Sequence, residues 1–307
     1  MKILKTFKAI ADETRLRIIH VFLYGSFNVN EVFFIVGGKQ SNISHHLKIL
    51  SDCELLIAKK IGAEVYYRLN ENKEFDCLLE MIKGSKSDFD FAEVDLKRLE
   101  TILDKRNKIA EEYFNNIGEE LNSLNDCLFR DIYSIDEIVN QITLKFENIL
   151  DIGCGTGRNL PILSKKATKV FGVDLSPKML QLSEHICKKY KLNYELKIGD
   201  IYNLPFSDYF FDCVFINMVL HHISDPMKAF KEIARIIKKN GKMIFIDLLG
   251  HNNDEMRSKY ADLWLGFTLD ELENYFSKNG FTIEQKVIKE DKKNNLNGVI
   301  ILILNKI

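Results

Sequence analysis

Residues 148–157, Asn-Ile-Leu-Asp-Ile-Gly-Cys-Gly-Thr-Gly, set an apolar run, the acid Asp151 and three alternate glycines, Gly153, Gly155 and Gly157, in one short window. Alternate glycines let a backbone turn sharply from strand into helix and approach a ligand with no side chain in the way, and the following helix offers its N-terminus. Cys154, inside this loop, suits a small buried filler better than a nucleophile. Asp174 ends the run Val170-Phe171-Gly172-Val173, where a second parallel strand would place a carboxylate at two ribose hydroxyls. Asp200, in Ile198-Gly199-Asp200-Ile201, stands at the next expected strand end, placed to accept from an adenine amino group while Ile201 packs on the ring. Phe211 to Asn217 reads as a buried fourth strand, so the segment from Asn217 to His222 should face the reacting group. His221 and His222 are the candidates there for a general base, with a structural role at the pocket mouth as the alternative.

The glycines read Gly-x-Gly-x-Gly and not Gly-x-Gly-x-x-Gly, which favours S-adenosylmethionine over a dinucleotide. With acids at three strand ends, the stretch from about Lys145 to Ile307 resembles the class I S-adenosylmethionine-dependent methyltransferases, particularly the small-molecule branch typified by quinone-biosynthesis methylases. The resemblance implies an α/β, Rossmann-like domain with seven strands in the order 3-2-1-4-5-7-6 and an antiparallel seventh strand. Residues 242–246, 281–283 and 299–304 would supply the last three strands. It also implies donor contacts from Asp151, Gly153, Cys154, Gly155, Gly157, Asp174, Leu175, Met179, Asp200, Ile201 and Asn217. Trp264 to Phe267, following His251, Asp254 and Glu255, resembles the family's acceptor-side insertion; an aromatic cluster there would bind a flat substrate or simply pack. Lys286 to Asn295 is charged and polar, the pattern of a solvated turn.

The first part of the chain is a different kind of sequence. Ile3 to Leu23 reads as helix around Asp12-Glu13-Thr14-Arg15, where Asp12 can cap a new helix. A short apolar helix, Val29 to Val36, precedes Gly37-Gly38. In the polar segment that follows, Ile43, Leu47 and Leu50 fall at helical spacing, leaving Gln40, Ser41, Asn42, Ser44, His45 and Lys48 to look outward. Amides and hydroxyls suit base edges, and lysine suits phosphate. Leu56 to Leu69 then reads as a hairpin carrying Lys59, Lys60 and Arg68. "ADETRLRII", "SNISHHLKIL" and "VYYRL" closely resemble the winged helix-turn-helix of ArsR-family repressors over about residues 1–72. Many of those relatives sense metals through Cys-Val-Cys; here the place reads Asn28-Val29-Asn30, so no soft-metal site is expected. No second histidine cluster shows ligand spacing, and no metal is expected elsewhere.

Between these modules, residues 73–144 form a helical connecting region ahead of a domain spanning 145–307. Leu96, Leu99, Ile102, Leu103, Ile109, Tyr113, Phe114, Ile117 and Leu121 recur at steps of three and four, giving an amphipathic helix with an interruption near Gly118. Packing on its own domain or on a second copy is favoured, the second giving a homodimer that reads two operator half-sites in double-stranded DNA. Covering of the donor pocket by Tyr113 and Phe114 is the alternative. Residues 1–72 hold ten Lys or Arg against seven Asp or Glu, which permits nucleic-acid binding without demanding it. The six cysteines are scattered without a Cys-x-x-Cys pair, against a disulfide framework or zinc knuckle. Neither a secretion signal nor a membrane-length apolar run is apparent, and a soluble cytoplasmic protein is expected. The combined expectation is a DNA-binding regulator fused to a small-molecule methyltransferase, with a non-catalytic sensor of S-adenosylmethionine or S-adenosylhomocysteine as the alternative.

Overall fold

A computed structural model describes residues 2–61, 64–70, 73–84, 91–118, 120–129, 132–251, 253, 256, 260, 262–291 and 298–307. The chain divides into two compact units, Met1–Lys108 and Ile109–Ile307.

In the first unit, α1 (Lys2–Ile10) is followed by α2 (Glu13–Phe22), whose start is fixed by Asp12: its carboxylate accepts from the Arg15 amide at 3.0 Å. Asn28 caps α3 (Val29–Val36) and shares a reciprocal capping box with Glu31, so amide chemistry, not thiolate chemistry, occupies the Asn-Val-Asn position. Helix α4 (Gln40–Asp52) buries Ile43, Leu47 and Leu50 and exposes Gln40, Ser41, Asn42, Ser44, His45 and Lys48, as the periodicity requires. The antiparallel pair β2 (Leu56–Ile61) and β3 (Glu64–Leu69) is joined by the short β1 (Phe27–Asn28) in the order β1-β3-β2. The hairpin tip, Gly62-Ala63, lies outside the described residues. After α5 (Lys73–Gly84), the 26-residue α6 (Ala92–Ile117) begins within this unit. Leu99 joins the unit's core, with Leu96, Ile102 and Leu103 against it. Two ion pairs pin the helix: Arg17 grips the buried Asp95 through two contacts of 2.8 Å, and Arg106 meets Glu31 at 2.7 Å.

In the second unit α6 ends before Gly118 (φ +48). The next stretch, the rest of the helical connecting region, contains α7 (Glu120–Phe129) and α8 (Ile135–Gln141). Then come β4 (Phe146–Ile152), α9 (Leu160–Leu163), β5 (Ala167–Asp174), α10 (Pro177–Lys189), β6 (Tyr194–Ile198), β7 (Phe211–Asn217), α11 (Pro226–Ile236), β8 (Ile237–Leu248), α12 (Leu269–Lys278), β9 (Phe281–Lys289) and β10 (Val299–Lys306). The sheet order is β6-β5-β4-β7-β8-β10-β9, parallel through β8, with β10 antiparallel to both neighbours. This is the expected seven-stranded order. Strand β7 is buried on both faces, the condition of a central parallel strand. Helix α11 lays Ala229, Phe230, Ile233 and Ile236 on the sheet. One expectation fails: Lys286–Lys289 is not a turn but the end of β9, paired with residues 299–302 of β10. An edge strand tolerates such charge because one side of it meets solvent; residues 292–295 lie outside the description.

Candidate functional site

Parallel strands end together, so the loops after β4, β5, β6 and β7 converge on one edge of the sheet. Residues 153–157 turn on three left-handed glycines. At Gly157 (φ +79) a β-carbon would lie 2.7–3.0 Å from Ser183, and at Gly153 (φ +64) it would lie 2.6 Å from Val219. The loop is thus clamped between α10 and the segment after β7, and side chains are sterically excluded at Gly153 and Gly157. Asp174 stitches it from the neighbouring strand: its carboxylate accepts from the amides of Gly155 (2.8 Å) and Ser176 (2.9 Å). Burial raises the Asp174 pKa against those hydrogen bonds. Asp151 is buried, and burial followed by the nearby Asp174 charge raises its pKa well above the carboxylate norm. Among the described residues its Oδ2 has no hydrogen-bond partner. Cys154 is buried, its thiol pushed well up by burial and then by Asp174 and Asp151, which fits a filler and not a nucleophile.

The other expected donor residues divide. Leu175 and Asn217 are half-buried at their strand ends, and Ile201 is 9% exposed beside the half-buried Asp200, whose carboxylate accepts from the Tyr202 amide at 2.9 Å. Met179 is 1% exposed, in the interior beneath the loop. Three further contacts had no sequence signal, because polar residues in helices and linkers are ordinary. Asn115 accepts from Ser176 (2.6 Å), Asn122 from Thr156 (2.8 Å), and the half-buried Tyr133 donates to Asn217 (2.9 Å). The junction of α6 and α7 therefore covers the glycine loop.

At the acceptor end, Met218 takes a left-handed conformation (φ +56) and delivers the chain into the turn Leu220–His222. A non-glycine residue held there stores strain of the kind found at functional sites. His221 Nδ1 lies 2.6 Å from Asp247, while its Nε2 is 3.7 Å from Asp262. His222 Nδ1 lies 3.6 Å from the same Asp262 oxygen. Burial alone would lower the His221 pKa; Asp247 and Asp262 outweigh it and push it up to about 9. The absence of a second ligand cluster, expected from spacing, is corrected here: the fold brings Asp262, forty positions away, to the histidine pair. Phe114 packs edge-on against His222 at 5.0 Å and Tyr113 against Phe114 at 5.2 Å. Both rings are thus packed within their own unit, Phe114 directly on the histidine turn. Trp264 donates its indole N–H to the Ile223 carbonyl (2.7 Å) and stacks near Phe267, a packing arrangement, while the amides of Leu263 and Trp264 both donate to the His221 carbonyl. His251 is buried; Asp254 and Glu255 lie outside the described residues.

On the first unit, the outward residues of α4 and Lys59 and Lys60 of β2 are exposed, and Arg68 of β3 is half-buried.

Residues 150–245 match the family model described as "Methyltransferase domain", and residues 12–58 match "Bacterial regulatory protein, arsR family". The chain joins an arsR-family domain to a methyltransferase domain. This fusion is 29% identical over 174 residues to a demethylmenaquinone methyltransferase of Thermotoga maritima, covering 53% of the chain and 73% of that protein. It is 30% identical over 145 residues to a ubiquinone biosynthesis O-methyltransferase of Coxiella burnetii, covering 47% of the chain but only 59% of the relative. An Aquifex aeolicus methyltransferase matches at 21% identity with TM-score 0.51, covering 62% of the fusion and 98% of that structure. A [4+2]-cyclase also matches, at 15% identity and TM-score 0.52 over 65% of the fusion and 95% of its own length. At such identities the likeness concerns fold alone, and a cyclase among the matches warns that this fold does not specify its reaction.

Proposed function

We propose that the fusion binds S-adenosylmethionine at the glycine loop, methylates a small molecule, and binds operator DNA as a homodimer through α4 and the β2–β3 wing. The observation that carries the reading is the loop itself: three left-handed glycines walled by Ser183 and Val219, tied to Asp174, with an unsatisfied buried Asp151 oxygen behind. Such a cradle fits a cationic nucleoside ligand, since a positive charge would offset the burial of two carboxylates. Residues 1–72 are assigned to DNA binding, 73–144 to connection and dimerisation, and 145–307 to methyl transfer, in a cytoplasmic protein.

S-Adenosylmethionine, when bound, supplies a methyl group already activated on a sulfonium. The chain's own work is then alignment and exclusion of water. Asp174 would hold the sugar, Asp200 and Ile201 the base, and Asn217, fixed by Tyr133, the approach to the acceptor. Phe114 and Tyr113 would shield the acceptor from solvent. An acceptor that must lose a proton meets the histidine pair, where Asp247 sets the His221 ring orientation.

A second reading, an effector site with little turnover, is favoured by one feature: α6 supplies both core residues of the arsR-type unit and Asn115, which accepts from Ser176 just after Asp174. Calorimetry with S-adenosylmethionine and S-adenosylhomocysteine, product analysis against quinols, phenols, thiols and arsenite, and operator affinity with each ligand separate the two. Product from one acceptor class supports the enzyme; ligand-dependent operator affinity without product supports the sensor; absence of donor binding refutes both.

A further inference from the structure

We propose that His221, His222 and Asp262 form a site for a divalent ion of the zinc and ferrous class, at the acceptor end of β7 and β8. Their ligand atoms lie within 4.8 Å of one another. The two imidazole nitrogens approach one Asp262 oxygen at 3.7 and 3.6 Å. Those separations exceed the about 2.7–3.2 Å of a hydrogen bond. They lie at or about 0.1 Å beyond the upper end of the spacing of neighbouring ligands around a shared tetrahedral ion, about 3.3–3.6 Å for bonds of about 2.0–2.2 Å.

The surroundings point the same way. Asp247 accepts a hydrogen bond from His221 Nδ1 at 2.6 Å and is itself held by the amides of Leu220 (2.8 Å) and Leu248 (2.7 Å). That orients the ring so that its Nε2 faces Asp262, where an ion would take the place of the Nε2 proton, in the carboxylate–histidine arrangement that orients metal-bound imidazoles. The Leu263 and Trp264 amides donate to the His221 carbonyl at 2.9 and 3.0 Å, so the segment bearing Asp262 is registered to the histidines by backbone. Asp247 and Asp262, at 0% and 1% side-chain exposure, place two buried carboxylates around the histidines, a setting that favours a cation there. Two nitrogens and one oxygen, with no thiolate, select a borderline ion over a soft one. Three protein ligands leave a position for an exogenous one, the pattern of catalytic and not structural sites.

Resting on the methyl-transfer reading, the ion would bind an acceptor hydroxyl and lower its pKa, so that its proton passes to water before transfer and no side-chain base is needed. Ion binding itself does not depend on that reading, and is tested without donor or acceptor. Chelator-stripped full chain is titrated with Co²⁺, followed by its ligand-field spectrum, then with Zn²⁺ in competition. One Co²⁺ per chain with a four- or five-coordinate spectrum, displaced by Zn²⁺, is expected. His222→Ala and Asp262→Ala should each weaken binding by more than about 100-fold, and Asp247→Asn, an outer partner, by about 10–100-fold. Melting curves verify folding; should the buried Asp262 variant fail to fold, the half-buried His222 variant decides. Substoichiometric binding, or binding unchanged in the variants, overturns the site.

Discussion

Replacing Gly157 by Ala isolates the steric argument for the donor loop. The φ of +79 imposes about 1–2 kcal/mol on any L side chain, and a β-carbon 2.7–3.0 Å from Ser183 adds the about 1–3 kcal/mol of overpacking. The neighbour cannot simply move aside, because one close atom is the Ser183 Cα in the backbone of α10. The sum, about 2–5 kcal/mol, should appear as a loss of S-adenosylhomocysteine affinity of about 30- to 4,000-fold if the loop shifts, since 1.4 kcal/mol is tenfold. If the loop holds, the same cost appears in the melting temperature, so calorimetry and melting are measured together. Gly155→Ala is the control. Its φ is +54, but the new carbon would meet only Leu121 Cδ2 at an ordinary 3.5 Å, so about 1–2 kcal/mol is expected. Equal effects at the two positions, or none at Gly157 in either assay, would refute the reasoning.

Other outcomes follow from the same structure. Asp95→Ala should destabilise the chain to urea by about 2–3 kcal/mol, below the about 3–5 of a fully buried pair, because Arg17 keeps 20% exposure; a loss under about 0.5 would mean the pair is idle. Lys48→Ala should weaken operator binding across sequences and lower the salt-dependence slope by about one; an unchanged slope would remove α4 from the phosphate backbone. For Asp151, a pKa raised in the folded state means stability present at low pH and lost as pH rises through that raised value. Asp151→Asn should therefore raise the melting temperature of the ligand-free chain at about pH 8 more than at about pH 5, while weakening donor binding. A pH-independent difference would place the carboxylate's ionisation elsewhere.

Local chemistry made much of this legible. Asp12, the burial stripe Ile43–Leu47–Leu50 and the glycine loop each follow from a residue's own conformational or hydrogen-bonding preference, which spacing reports directly. Gly118 marked the end of α6 for the same reason. Asn115, Asn122 and Tyr133 were invisible because their meaning depends on tertiary partners in the glycine loop and β7, not on neighbours in sequence. Asp262 is the sharpest case: nothing in its own surroundings distinguishes it, and only the backbone pairing of residues 263 and 264 with His221 gives it a role. Charge misled at Lys286–Lys289, where an edge strand and a turn have the same polar composition.

The place of β10 bears on how this chain must be made. Its partners are β8 and β9, and β9 pairs with no other strand among those described. A ribosome synthesising the chain therefore releases β9 with nothing to add to, while the Met243–Leu248 segment of β8 waits with one hydrogen-bonding edge open. Until residues 299–306 arrive and slot between the two, that apolar edge is a template for the wrong strand from another nascent chain. Chaperone dependence and aggregation yield should accordingly change abruptly when translation is stalled on either side of β10.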